Sequence, residues 1–289
     1  MKLTSSWLSL TASLTFMPLA ATAVMPKSEI LLAKLNTEYG LQVSRITDSD
    51  VYNNQPLLTA TGIYFTQEVQ NDERSQTDIA FYEFANKQTK NLTNSDVSEY
   101  SPTLTPNKDA LSVIVVEADG KQKLWQYPLA DDLKPSRIFE WIEPVGYHAW
   151  GVTNDVVMFI LGQPHTLQYT SVAAAKPQKI ADNIGRTLAF NHTLGAFTFS
   201  YSKAQQHWFA SYDAKSNEVE DLFRLPQTVQ DYAFKDDNTV LYALDNRVYQ
   251  RQLDHPEQVS LWLDLTPYCD TSITRMSYLN DQLAFVCTK

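Results

Sequence analysis

Glycine is scarce in this chain, 8 in 289 residues, and proline reaches only 13. Turns must therefore be made largely by Asn, Asp, Thr and Ser. Cysteine occurs twice, as Cys269 and Cys287, too few for a zinc site built from thiolates alone. The five histidines, His148, His165, His192, His207 and His255, show neither H-x-H nor H-E-x-x-H spacing, the patterns that place two imidazoles on one metal. A G-x-S-x-G nucleophile elbow is missing as well, which removes the local signature of an α/β-hydrolase serine. Positive charge is also in deficit, with 23 Lys and Arg against 33 Asp and Glu and a net charge of −10. That balance argues against nucleic acid, whose binders present clustered basic residues, and against anionic membrane surfaces. No apolar run reaches the roughly 20 residues of a membrane-spanning helix.

What the chain does have begins with Met1 and Lys2, an apolar stretch over 7–19 and the small-x-small run Ala21-Thr22-Ala23. Those are the parts of a secretory signal peptide over 1–23. The mature chain is then expected over 24–289, periplasmic or secreted, without a lipid anchor because no Cys stands at the cleavage point. In such an oxidising compartment Cys269 and Cys287 are most simply a disulfide, with two buried free thiols as the alternative. Tyr (15), Phe (13) and Trp (6) supply the aromatic area that strands and large all-β cores use.

A repeat organises the rest. Large apolar anchors stand just before polar turns at Leu58, Leu104, Trp150, Phe190, Phe234 and Tyr278, spaced by 46, 46, 40, 44 and 44 residues. The turns are of the type Thr105-Pro106-Asn107-Lys108-Asp109 or Lys235-Asp236-Asp237-Asn238, and apolar strands follow at 111–116, 156–161, 239–244 and 282–286. This is hairpin chemistry. A third strand recurs at 79–84, 124–129, 167–172, 208–213 and 248–253, and a fourth at 90–93, 136–139, 178–181, 220–223 and 260–263.

The ends complete the pattern. Segments 30–35 and 42–47 read as third and fourth strands with no hairpin before them, whereas 278–286 is a hairpin with no third and fourth strands after it. Joined, they make a sixth unit. The predicted fold is all-β: a six-bladed β-propeller of four-stranded antiparallel blades, closed by pairing N-terminal strands with the C-terminal hairpin, in one domain over 24–289. Closure removes the strand edges that an open β-sandwich or solenoid would expose, and a period near 44 suits a propeller blade.

The segment Tyr100-Ser101-Pro102-Thr103-Leu104-Thr105-Pro106-Asn107-Lys108-Asp109-Ala110-Leu111 resembles the P-x-W-S-P-D-G-x-x-I opening of WD40-like, TolB-like propeller repeats, and Lys90-Asn91-Leu92-Thr93 resembles their x-x-L-T close. Leu104 replaces the family's Trp, and Asn107-Lys108 its Asp-Gly turn. The resemblance spans roughly 27–289 and implies a periplasmic propeller that docks a partner protein or peptide. It does not extend to the α/β domain that precedes the propeller in TolB. It leaves room for calcium in the channel, with no residue here to which the ion can be assigned; no cofactor is expected.

In a propeller the loops entering the inner strands meet around one mouth of the channel. Three positions before the anchors stand Gln55, Ser101, Tyr147, Thr187, Asp231 and Arg275, and one step earlier Asn54, Tyr100, Gly146, Arg186, Gln230 and Thr274. Tyr and Arg are the residues of binding hot spots. The expected binding mouth is therefore Gln55, Tyr100, Tyr147, His148, Arg186, Asp231 and Arg275. The functional expectation is a non-enzymatic, monomeric module that binds an envelope protein or peptide. The alternative is a metal- or carbohydrate-dependent propeller enzyme of lactonase or glycan-active type, with no catalytic residue assignable.

Overall fold

The second strand of each repeat is its most apolar, and it is the one buried on both faces. Val, Ile and Leu dominate it at 110–116, 155–160 and 239–244, the pattern of a strand packed between two layers, while Phe, Tyr and Thr share it at 62–71 and 196–203. The fourth strands carry alternating or continuous polar residues and are exposed. This gradient, apolar inside and polar outside, lays each unit radially.

The computed structural model describes residues 25–289 except 37, 39, 49, 72–73, 131–133 and 175. The leader expected over 1–23 lies outside the described residues. The described chain forms strands β1 (Ser28–Asn36) and β2 (Gly40–Arg45), then β3 (Asn53–Leu58), β4 (Gly62–Asn71), β5 (Arg74–Glu83) and β6 (Gln88–Asn91). The second blade holds β7 (Ser98–Leu104), β8 (Ala110–Val116), β9 (Gln122–Pro128) and β10 (Ser136–Arg137). The third holds β11 (Val145–Trp150), β12 (Asp155–Ile160), β13 (Thr166–Ser171) and β14 (Gln178–Asp182), and the fourth β15 (Ile184–Asn191), β16 (Ala196–Lys203), β17 (Gln206–Asp213) and β18 (Glu218–Arg224). The fifth is β19 (Tyr232–Asp236), β20 (Thr239–Leu244), β21 (Arg247–Gln252) and β22 (Val259–Asp264); β23 (Ile273–Leu279) and β24 (Gln282–Thr288) end the chain.

Six four-stranded sheets result, and the sixth has the order β2-β1-β24-β23. Strand β1 runs antiparallel to β24 from Ser28 opposite Thr288 to Lys34 opposite Gln282. The two ends of the chain thus share one blade, as the complementary half-repeats require. Observed strands match the expected ones within a few residues, with two informative departures. Strand β10 stops at Arg137 because Ile138 and Phe139 turn inward, Phe139 being 3% exposed in the seam between the second and third blades. Leu58, the expected anchor of the first blade, packs into the seam with the sixth, and its neighbour Leu57 faces the channel instead.

Among the described residues the core divides into six apolar clusters, one at each seam. The second and third blades meet at Ile114, Val156 and Met158. The fourth and fifth meet at Phe209, Tyr232 and Val240, and the fifth and sixth at Leu241, Leu31 and Phe285. Every blade is therefore sandwiched by two others. No helix among the described residues is long and apolar enough to cross a membrane.

Cys269 and Cys287 are bonded, with Cα atoms 5.7 Å apart. The bond ties the loop entering the last hairpin to β24, inside the blade that closes the ring. A disulfide suits an oxidising compartment.

Candidate functional site

The inner strands do not run straight. In four of them, β3, β7, β11 and β23, the register against the second strand slips by one residue near the column three positions before the anchor, between Asn54 and Leu57, Tyr100 and Thr103, Val145 and Tyr147, and Thr274 and Met276; in β15 the slip is longer, between Ile184 and Leu188. A bulge inserts residues into one strand, bends it and re-aims its side chains. In three consecutive blades the bulged residue is left-handed, Arg275 at φ 42°, Gln55 at 54° and Ser101 at 58°. In β15 the bulge takes in Gly185, where a Cβ would meet Ser200 Oγ at 2.1 Å. Sequence alone aligned this column; the bulges aim Gln55, Ser101, Thr187 and Arg275 into the channel.

There the side chains meet. Arg186 Nη2 donates to Asp231 Oδ2 at 2.7 Å, Thr187 Oγ1 donates to Asp231 Oδ1 at 3.0 Å, and Arg275 Nη1 lies 3.3 Å from Asp231 Oδ1. The Arg275 guanidinium lies 4.3 Å from the centre of the Tyr147 ring. Those two residues belong to the sixth and third blades, directly opposite each other in a ring of six. Their contact therefore crosses the channel and closes it. On the other side of the ring Gln55 Oε1 accepts from Thr66 Oγ1 at 2.6 Å and from the Ser101 N–H at 3.1 Å.

A cavity of about 710 Å³ begins at this closure and runs toward the hairpin turns. Gln55, Ser101, Tyr147, Arg186, Thr187 and Arg275 make its floor. Leu57, Leu104, Trp150, Phe190, Phe234 and Tyr278 stand in its walls, and Pro106, Lys108, Val152 and His192 reach its rim. The walls are thus the anchor column, with Leu57 in place of Leu58. An aromatic-rich column at the blade period was the signal that could have marked them as a lining.

The expected mouth residues divide accordingly. Gln55, Tyr147, His148, Arg186 and Arg275 line the cavity, but as its inner end and not as an open mouth. Asp231, 8% exposed, sits behind the two arginines. Burial alone would push its carboxyl up; the Arg275 and Arg186 charges, with the hydrogen bonds from Arg186 and Thr187, outweigh that and hold it below the usual carboxylate range. Burial would lower the Arg186 pKa, and the Asp231 charge and hydrogen bond raise it on balance. Tyr100, one residue upstream of the floor, is not in the cavity lining; its hydroxyl lies 3.9 Å from Met25 Sδ.

His148 is 6% exposed. Its Nε2 is 2.6 Å from Ser112 Oγ, which also donates to Thr103 O at 3.0 Å and receives the Trp150 Nε1–H at 2.8 Å. A hydroxyl has one proton and two lone pairs, so all three contacts are satisfied when Nε2 carries the proton and donates. Nδ1 is then a bare acceptor, buried without a partner. Burial pushes the imidazole down to about 3, and it stays neutral at ordinary pH. Among the described residues no three His, Cys, Asp or Glu side chains gather in a group that could hold a metal.

The geometry can be set beside known structures. A TolB-type protein of Agrobacterium tumefaciens superposes with a TM-score of 0.70 at 10% identity, over 92% of this chain and 99% of that one. The fold is that of the TolB-type six-bladed propeller. TolB of Acinetobacter baumannii gives 0.59 at 12% identity, over 78% of this chain and 61% of its own. A luciferin-regenerating enzyme gives 0.55 at 13% identity, over 82% and 92%. The second TolB comparison leaves more than a third of that protein unmatched, and this chain's described part is propeller throughout. At these identities the shared property is the fold, which hosts many functions. Neither a protein-family model nor a curated protein matches the sequence.

Proposed function

We propose that the protein is a non-enzymatic, monomeric binding module of the cell envelope, periplasmic or secreted, which receives a segment of a partner protein or peptide in the channel cavity. Its main support is the cavity itself: a concave site of a size that holds small ligands or a few side chains, about 300–1,000 Å³, with apolar and aromatic walls over a few convergent polar groups. The TolB-type fold, the disulfide and the leader-like start are consistent with an extracytoplasmic role. A metal-dependent propeller enzyme would call for carboxylates converging on the cavity, and its described lining holds none.

The test blocks the cavity and leaves the seams intact. Thr103 lines it and is half-buried, so Thr103→Trp fills the space without entering a core cluster. Parent and variant, immobilised, are presented with envelope extract of the source cells, with and without chelator. A discrete partner that the parent retains in chelator, and that the variant loses at unchanged melting temperature, supports the reading. Equal capture by both proteins moves the site to the outer surface. No capture, with a melting temperature that falls in chelator, favours the metal-bearing alternative.

A further inference from the structure

The floor of the cavity is over-supplied with donors. Two guanidiniums bring about five N–H groups each, against about four acceptor positions on one carboxylate. That carboxylate is Asp231, and Thr187 already takes part of its Oδ1. Arg186 makes one hydrogen bond to it through Nη2, while its Nε is buried with no partner. Ser101 Oγ, also at the floor, is buried with no partner. A buried donor without an acceptor costs roughly a lost hydrogen bond, and such a group is accounted for when a ligand supplies the acceptor.

Charge points the same way. The chain carries a net −10, yet the described cavity lining contains no Asp or Glu and does contain Lys108, Arg186 and Arg275. Asp231 offsets one of the two floor arginines, which leaves one positive charge in excess at the bottom of a largely apolar cavity. Guanidinium is suited to a planar, two-oxygen acceptor.

Shape selects which acceptor. The Arg275–Tyr147 contact closes the channel, so a chain entering from the rim cannot pass through and meets the floor end-on. An internal side chain would have to bring two strands of its own chain into the same space, whereas a terminus brings one. We infer that the arginine floor receives the C-terminal carboxylate of a peptide whose last residues are apolar and lie against Leu104, Trp150, Phe190 and Phe234. This rests on the cavity being the docking site proposed above.

The test is calorimetric titration of the purified protein with three peptides: acetyl-Phe-Leu-Phe as the free acid, the same peptide as its C-terminal amide, and acetyl-Phe-Leu-Asp amide. The free acid is expected to bind about tenfold or more tightly than its amide, what one charge-assisted hydrogen bond supplies. Arg275→Gln reduces that ratio of acid to amide affinity to about twofold or less, the ratio being read within each protein. Because Arg275 is 11% exposed and holds the floor together, Arg186→Gln, at a side chain 37% exposed, gives the same reading on a residue that disturbs the fold less. Equal binding of acid and amide overturns the carboxylate assignment and leaves the cavity a peptide site. Tighter binding of the aspartyl amide than of the free acid overturns the assignment to a chain terminus. Binding of none of the three overturns the inference outright, and the capture experiment with Thr103→Trp then decides separately whether the cavity docks anything.

Discussion

Two buried carboxylates, Asp231 and Glu99, are moved in opposite directions by their neighbours. Asp231 has two guanidiniums beside it and stays ionised below its ordinary range. Glu99, fully buried on β7, has none: its oxygens accept from Thr93 at 3.1 Å, from Tyr127 at 3.0 Å and from Ser95. The second buried acid nearby, Asp78, is likewise held by amides, Gln76 and Asn91. Among the described residues no cation pairs with either. Burial therefore pushes Glu99 up to about 7, with Asp78 adding to the rise and the three hydroxyls opposing it. The sign of the consequence is fixed by linkage: between the ordinary value near 4.5 and about 7, the folded protein holds a proton that the unfolded chain has released, so this group's contribution to stability falls as pH rises and is lost above about 7. Glu99→Gln removes the charge and keeps the shape. Measured by urea unfolding, the variant should gain about 2–3 kcal/mol on the parent between pH 5 and pH 8. A difference between the two proteins that is the same at both pH values would mean that Glu99 does not titrate in this window.

At the scale of strands and blades, legibility followed burial. The second strands β8, β12, β20 and β24 were readable because they are largely buried and apolar along nearly their whole length. The shared sixth blade was readable because two half-repeats at the ends fitted together. The floor of the channel was only half readable, because alignment placed Tyr147, Asp231 and Arg275 in one column, whereas Tyr147 and Arg275 stand at register slips and Asp231 just ahead of β19, none of which the alignment shows. A change of one residue in a strand reverses the face a side chain takes, which is also why Leu57 and Leu58 exchange roles. The column was expected around one mouth of the channel; across it a cation and a ring from opposite blades are in contact, which no local pattern encodes. The disulfide was a matter of composition and compartment. It spans 18 residues, and closing a loop of that size restricts the unfolded chain by about 3 kcal/mol in the loop-entropy account. Cys269→Ala with Cys287→Ala should therefore lower the melting temperature by roughly 6–12 °C for a domain of this size, with reduction of the parent giving a similar fall. No fall in either would mean that the closing blade is held by its strand pairing alone.

Across the whole molecule the six seam clusters join the blades into a ring. In an open stack the first and last units would each leave one apolar face bare; in the ring every blade is covered on both sides, and the last seam closes through β1 of the sixth blade. The chain ends meet at that point, where the Lys289 N–H donates to Lys27 O at 2.9 Å. If stability resides in the closed set of seams and not in the particular blade where the ends lie, the joint can be moved. The turn between β21 and β22 is suited to it: the side chains of His255 and Glu257 are 58% and 68% exposed, and no core cluster includes them. A permutant that links Lys289 to Lys27 by a short glycine-serine linker and begins at Gln258 would have β22 at its new start and β19, β20 and β21 at its new end, so that the fifth blade now closes the ring from one strand and three. It should unfold in a single cooperative transition, with a denaturant slope equal to the parent's because the same surface is exposed, and with the cavity, which lies at the inner strands, unchanged. Two separated transitions, or a clearly shallower slope, would mean that the fifth blade cannot be closed by its outer strand alone and that the pairing of β1 with β24 holds the ring in a way the other sheets do not.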